Sequence, residues 1–237
     1  MKLLWMELRR LTLPALVRGV SIAFLGLLVV LYARLSGIYS LLGAVRLLLP
    51  SLSSVLMDLL YLYCFLFSAC WGARTLCLAE AGEHPERLAA LPLSREQLAL
   101  SRLGARMLTL ALFAFTSAGV LALGAAGFAG AAQAAIFLRA AALRFPALLC
   151  AFCVGFAFSG LCVRYEYACL GSLLTFFALH GVALCAFAGL LPSALLYLSP
   201  VFTFSSSQAL LPALLWAAAS LACIPVSLVR FGRRDLL

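Results

Sequence analysis

Two ionisable side chains lie within apolar stretches of the chain. Asp58 is the only acidic residue inside a predicted membrane span, and His180 lies near the middle of another. An ionisable group in hydrocarbon is costly and by default suggests a function, such as lining a substrate path or relaying protons. Structural alternatives stay open. Asp58 could accept hydrogen bonds or reach the outer interface near Arg34 or Arg46, and a neutral His180 could donate a hydrogen bond to a backbone carbonyl.

Reactive groups are too few for an intramembrane enzyme. Such a protease would need clustered acids and histidines, and only Asp58 and His180 are available within the spans. Cys150 and Cys153 form a C-x-x-C motif, which can indicate metal or redox chemistry. No second C-x-x-C or His pair accompanies it, so we interpret both thiols as small apolar groups in a helix. We predict no catalytic residue, no metal and no cofactor.

The composition excludes a water-soluble protein. Hydrophobic residues make up 66% of the 237 residues, charged residues make up 11%, and the mean hydropathy is +1.14. Soluble domains usually have about 45–50% apolar and about 25% charged residues. A soluble enzyme, a nucleic-acid-binding module and a disordered chain are therefore all disfavoured. The remaining class is a polytopic membrane protein, in which lipid covers the excess apolar surface.

Six apolar segments are long enough to cross about 30 Å of hydrocarbon as helices. The predicted fold is thus all-α, with one transmembrane domain over residues 1–237. Residues 1–14 precede the spans with an amphipathic pattern suited to a helix at the membrane surface, and we expect them to be retained rather than cleaved. The predicted spans are residues 15–33, 51–72, 107–128, 145–163, 168–190 and 209–229.

Basic side chains fall unequally on the two sides of this arrangement. Thirteen of the seventeen lie on the side of the two termini, and four lie on the other, namely Arg34, Arg46, Arg139 and Arg144. Because basic residues collect in cytoplasmic loops, both termini are predicted to be cytoplasmic. No basic run is long enough to indicate nucleic-acid binding.

Small residues recur every four positions in the fourth predicted span. Ala151, Gly155 and Ser159 follow this spacing. Such spacing permits the close approach of another helix.

The cytoplasmic loop of residues 73–106 carries the densest pattern of charge. It holds four of the eight acidic residues, among five arginines. Ser94 and Gln97 have the spacing of a helix-capping box, so a second helical piece is predicted to run from Arg95 into the third span. Pro92 interrupts the preceding piece. We therefore predict two helical pieces joined by an elbow at Leu91-Pro92-Leu93.

This loop resembles the one between the second and third helices of ABC-2-type transporter permeases. That family commonly shows an acidic residue, a Gly-Thr turn, Glu, an apolar stretch, Leu-Pro-x-Ser-Arg and then a basic residue. Here the Gly-Thr turn is replaced by Gly82-Glu83-His84-Pro85. The other elements occur in the family's order as Glu80, Gly82, Glu86, Leu91-Pro92-Leu93-Ser94-Arg95 and Arg102.

The resemblance extends over the whole chain and implies a fold. Members have six helices, an N-terminal elbow helix, matched by residues 1–14, and an apolar, partly re-entrant external segment, matched by residues 191–208. Their dimer interface is built largely from the first and fifth helices, here 15–33 and 168–190. The resemblance also implies residence in the inner membrane of a bacterium.

The resemblance further implies that the loop couples the permease to a separate cytoplasmic ATPase. The chain lacks G-x-x-x-x-G-K-[ST], and Lys2 is its only lysine, so a partner would have to bind and hydrolyse ATP. A homodimer, or a heterodimer with a second permease, would carry the pathway, and the resemblance implies export. An apolar pathway without charged lining favours a lipidic, peptidic or amphiphilic drug-like substrate. The expected coupling or loop-shaping residues are Glu83, Glu86, Arg87, Leu91, Pro92, Ser94 and Arg95.

Two other functions remain open from the sequence. One is a haem-export-type permease of cytochrome c maturation, which has a similar length and six spans but fits Leu-Pro-x-Ser-Arg less well. The other is a stand-alone membrane immunity or scaffold protein, which would function without an ATPase.

Overall fold

The computed structural model describes residues 2–39, 49–77, 94–198 and 210–232, and these ranges contain helices and no β-strand. The all-α class is therefore confirmed for the described residues. A short 3-10 helix, Ser193–Leu198, lies within the predicted external segment, whose residues 199–208 are outside the described ranges. The α-helices are α1 (Lys2–Tyr39), α2 (Leu49–Ala73), α3 (Arg95–Ala129), α4 (Ala131–Leu161), α5 (Tyr165–Phe187) and α6 (Leu210–Gly232).

Five of these helices are long and apolar enough to cross a membrane, so the protein is membrane-embedded. They correspond to five of the six predicted spans. The predicted span 51–72 corresponds to α2, a 25-residue helix whose described side chains form the apolar stretch Leu59–Ala73. Six spans therefore remain a prediction. The five candidate spans are Leu4–Leu31, Glu96–Gly124, Ala141–Leu161, Tyr165–Phe187 and Leu214–Phe231.

Helix α1 is longer than a membrane crossing requires. Its 38 residues extend about 57 Å at 1.5 Å per residue, against about 30 Å of hydrocarbon. Pro14 lies inside the helix, which nevertheless continues through it. Residues 2–14 thus run directly into the first span, and a separate elbow helix over residues 1–14 remains a prediction.

Gly130 is the only residue between α3 and α4. Its φ of 89° lies in the left-handed region that glycine adopts at little cost. The fourth span, predicted at 145–163, corresponds to α4, but its predicted start was wrong, because residues 131–144 are helical rather than a loop. Residues 131–143 are rich in alanine, the best helix former, so the helix starts well before the segment of highest hydropathy.

Helix α4 is the centre of the bundle and packs against α2, α3, α5 and α6. Its candidate span is 44% buried, against 22% for each of the other four. Phe152 and Phe156 are fully buried there, in a cluster that includes Phe113 of α3 and Phe231 of α6. The remaining helices are arranged around this one, and α1 packs most extensively on α3.

The contact between α2 and α4 brings the two backbones together. A Cβ on Gly155 would lie 2.0 Å from the carbonyl oxygen of Ala69, and one on Gly72 would lie 1.9 Å from that of Phe152. Ser68 Oγ also donates a hydrogen bond to the carbonyl oxygen of Leu148 at 2.6 Å. The small-residue spacing in the fourth span therefore serves the α2–α4 contact.

Replacing Gly155 by alanine should destabilise the bundle. Overpacking a tight contact typically costs about 1–3 kcal/mol, because the helices must separate. The matched control is Gly119→Ala in α3, where an added Cβ meets nothing within 4 Å and alanine improves helix propensity. Thermal unfolding in detergent, followed by tryptophan fluorescence, should show a midpoint below that of the parent protein for G155A. The midpoint of G119A should not fall. Equal midpoints would contradict the close α2–α4 contact.

Candidate functional site

Most of the predicted coupling residues lie outside the described part of the chain. These are Glu83, Glu86, Arg87, Leu91 and Pro92, which fall within residues 78–93. Their placement, and the predicted Leu-Pro-Leu elbow, therefore remain predictions.

Of the predicted coupling residues, Ser94 is the one whose side chain the structure describes. It caps α3, as its spacing with Gln97 predicts. Ser94 Oγ accepts a hydrogen bond from the Gln97 backbone N–H at 3.2 Å, and the Ser94 N–H donates to Gln97 Oε1 at 3.2 Å. This capping box satisfies backbone donors that the first turn would otherwise leave unpaired. Arg95 is the first helical residue, and its side chain is outside the described part.

Helix α3 enters the core within two turns of this cap. Leu98, Ala99 and Leu103 are buried, while Glu96 in the first turn is exposed. The helix then continues without a break to Ala129. A force applied at Ser94 would consequently reach the middle of the bundle through a continuous helix.

A buried ion pair joins α3 to α1 near the same end. Arg102 Nε lies 4.0 Å from Glu7 Oε1, and the side chains are 5% and 11% exposed. Two opposite charges with so little solvent access attract each other more strongly than a surface pair does. The sequence analysis placed Arg102 in the family pattern and Glu7 in an amphipathic helix, and the contact between them was not predicted.

Two further arginines hold α1, α2 and α3 together through one tryptophan. The guanidinium of Arg18 lies 5.1 Å from the ring centre of Phe67 and 5.5 Å from that of Trp71. Arg106 lies 5.6 Å from the Trp71 ring and donates to the Trp71 carbonyl oxygen at 3.1 Å. These are cation–π geometries. We call this region, residues 67–77 and 94–106 together with Glu7 and Arg18, the loop end.

The loop end therefore contains basic groups that do more than mark membrane orientation. The sequence analysis used Arg18 and Arg106 only in the charge bias. Phe67 and Trp71 are four residues apart and share a helix face, so the sequence held a signal for one aromatic platform. Nothing in the sequence indicated which arginines would lie over it.

A cleft of about 320 Å³ opens between α1, α2, α3 and α4. Such a volume is at the lower end of the range for small-molecule pockets. Arg144 contributes the one charged side chain among the described lining residues, and its guanidinium lies 4.9 Å from the ring centre of Tyr61. The lining is otherwise mostly apolar and comprises Ile22, Ala23, Leu60, Tyr61, Cys64, Phe113, Ala114, Ser117, Ala118, Leu121, Ala141, Arg144 and Leu148.

The position of Arg144 differs from the sequence analysis, which assigned it to an external loop and expected an uncharged pathway. Because α4 begins at Ala131, Arg144 lies four turns into a helix and faces α2. Tyr61, at the middle of α2, supplies the ring beneath it. Arg139 and Arg144 interrupt the apolar sequence at the start of α4, so a loop rather than a helix was predicted there.

The structure does not place His180 among the described residues that line the cleft. Asp58 lies in α2 one turn before Tyr61, and its side chain is outside the described part. His180 is half-buried in α5, a helix that contributes no described residue to the lining. Their roles remain predictions.

Cys150 and Cys153 lie within the core, where each is almost fully buried. They pack in the two clusters that α4 organises. Within residues 2–39, 49–77, 94–198 and 210–232, no three His, Cys, Asp or Glu side chains form a group that could hold a metal ion.

Comparisons with protein-family models, curated proteins and solved structures found no match to this chain.

The Glu7–Arg102 pair should contribute to stability. In Glu7→Gln a neutral amide replaces the carboxylate, which leaves the buried guanidinium less well compensated at a typical cost of about 1–3 kcal/mol. Glu96→Gln is the matched control, because Glu96 is exposed at the start of the helix that carries Arg102. Thermal unfolding in detergent should show a lower midpoint for E7Q than for E96Q. Equal midpoints would mean that the pair contributes no stability.

Proposed function

We propose that the chain is the membrane-spanning permease subunit of an ATP-binding cassette transporter of the ABC-2 type, an exporter driven by a separate ATPase subunit. The observation that carries this proposal is the capping box at Ser94. It begins a helix that runs unbroken from the end of the Leu-Pro-x-Ser-Arg motif into the bundle core. A coupling loop needs such a rigid connection, since a contact made outside the membrane must be transmitted to the spans.

The contacts of the loop end support transmission to more than one helix. Arg102 is paired with Glu7 of α1, and Arg106 is bonded to Trp71 of α2. A displacement of the first turns of α3 would therefore move three helices together. We propose that Glu83, Glu86 and the other predicted loop residues contact the ATPase surface or shape the loop.

The chemistry of ATP hydrolysis belongs to the partner in this proposal. The sequence has no phosphate-binding glycine loop, and its one lysine is Lys2. The permease itself would perform no covalent chemistry. Its contribution would be alternating access across the inner membrane of a bacterium, with both termini in the cytoplasm.

The exposed faces of α1 and α5 support a dimer in which they form the interface. Both helices present large apolar side chains outward, which either lipid or a second permease would cover. Among them are Val17, Phe24 and Leu25 of α1, and Leu170, Leu174, Phe177 and Phe187 of α5.

The cleft favours an amphiphilic substrate over a small polar solute. Its walls are mostly apolar, which suits an acyl or aromatic group, and Arg144 with Tyr61 provides a polar end. A preformed apolar pocket with few polar groups is the usual form of such sites.

Affinity purification should recover an ATPase with the tagged permease. We expect the ATPase to co-purify with the parent chain and to be lost with Leu91→Asp/Arg95→Glu, because this variant removes an apolar contact and reverses a charge in the loop. Arg139→Glu is the matched control, since Arg139 is an exposed arginine near the α3–α4 turn, at the other end of α3. Mass spectrometry would identify the partner and its amount.

Each outcome of this purification distinguishes the functions. Retention of the ATPase by the loop variant would overturn the coupling role of the loop. Absence of any ATPase across several detergents and nucleotide states would overturn the permease assignment and favour the stand-alone immunity or scaffold protein. Recovery of cytochrome c maturation proteins would favour the haem-export-type permease.

Reporter fusions should place the C-terminus in the cytoplasm. A green fluorescent protein fused after Leu237 should fluoresce, and alkaline phosphatase fused there should be inactive. Truncated fusions after Gly130, at the α3–α4 turn, should give the opposite pair of results. The reverse pattern at both positions would overturn the predicted orientation.

A further inference from the structure

Two cysteines from different helices lie in contact where α2 ends and α5 begins. The Sγ atoms of Cys70 and Cys169 are 2.9 Å apart, although the residues are separated by 99 positions in the chain. A disulfide bond has an S–S length of about 2.05 Å, so the sulfurs need to approach by less than about 1 Å. Both cysteines are free thiols and both are partly exposed.

A second contact one turn away supports this register between the helices. Arg74 follows Cys70 by four residues, Tyr165 precedes Cys169 by four residues, and the Arg74 guanidinium lies 5.9 Å from the Tyr165 ring centre. Ala73 and Ala168 are fully buried in the same cluster. The thiol contact therefore belongs to a continuous α2–α5 seam.

The surroundings of Cys70 and Cys169 suit thiol oxidation more than those of Cys150 and Cys153 do. Oxidation of a thiol requires that the oxidant can reach it. Cys70 and Cys169 are half-buried, whereas Cys150 and Cys153 are buried among apolar side chains of the core. Access thus distinguishes Cys70 and Cys169 from the C-x-x-C motif.

We propose that Cys70 and Cys169 form a redox-reactive dithiol that closes to an intramolecular disulfide between α2 and α5 in the presence of a two-electron oxidant. With an azo-type oxidant such as diamide, the two thiols lose two protons and two electrons, and the N=N bond accepts them to become a hydrazine. The product ties the end of α2, which leads into the loop of residues 78–93, to the start of α5. This inference is independent of the proposed transport function.

Counting thiols would test the proposal on the full-length protein in detergent. The reduced protein is treated with diamide, denatured, capped with N-ethylmaleimide and weighed intact. Nine maleimides should attach without oxidant, because all nine cysteines are free, and seven after oxidation. Peptide mapping should identify Cys70 linked to Cys169, and a non-reducing gel should show a monomer.

Three single variants make the result specific. Cys70→Ser and Cys169→Ser should each carry eight maleimides before and after oxidation, since the remaining thiol lacks its partner. Cys153→Ser, a matched control in the core, should fall from eight to six. Size-exclusion chromatography would establish that each variant is folded.

Three outcomes would overturn the proposal. One is a parent protein that retains nine maleimides after oxidation. Another is a folded Cys70→Ser variant that still loses two, because a different pair would then be reacting. The third is a cross-link between chains, which the non-reducing gel would show as a dimer.

Discussion

The close contact between α2 and α4 is the constraint on which the rest of the bundle depends. Gly72 and Gly155 have no side chain to separate the backbones, and Ser68 adds a hydrogen bond across the seam. Because α4 also contacts α3, α5 and α6, its position against α2 determines where the outer helices can pack. In a membrane, where lipid competes equally for apolar surface, close packing and interhelical hydrogen bonds are the main sources of such specificity.

Polar side chains at the loop end add a second kind of attachment. Arg18, Arg102 and Arg106 reach from two helices toward an aromatic platform, a carboxylate and a backbone carbonyl. These interactions have directional preferences that apolar packing lacks, so they hold α1, α2 and α3 in a particular arrangement. The bundle is thus packed by small residues at its centre and joined by charged ones where the loop enters it.

Local chemistry was predictable from the sequence, and long-range placement was not. The Ser94 cap was predicted because its partner Gln97 is three residues away, and five spans were predicted because apolar length alone identifies them. The start of α4 was missed because Arg139 and Arg144 interrupt the apolar sequence there and were assigned to an external loop. Arg144 was therefore misplaced. The Cys70–Cys169 contact could not be predicted, since no spacing rule connects residues on separate helices.

The single-residue turn at Gly130 has a consequence for the surrounding lipid. Helices α3 and α4, of 35 and 31 residues, meet at this turn without a loop, so residues 125–140 are helical on both sides of Gly130. At 1.5 Å per residue the two helices are about 52 Å and about 46 Å long, against about 30 Å of hydrocarbon. Because these residues are mostly apolar, the hairpin has a hydrophobic mismatch with a bilayer of ordinary thickness, which the protein must relieve by tilting or by thickening the leaflet around it. Membrane thickness is thus a variable to which this fold is sensitive.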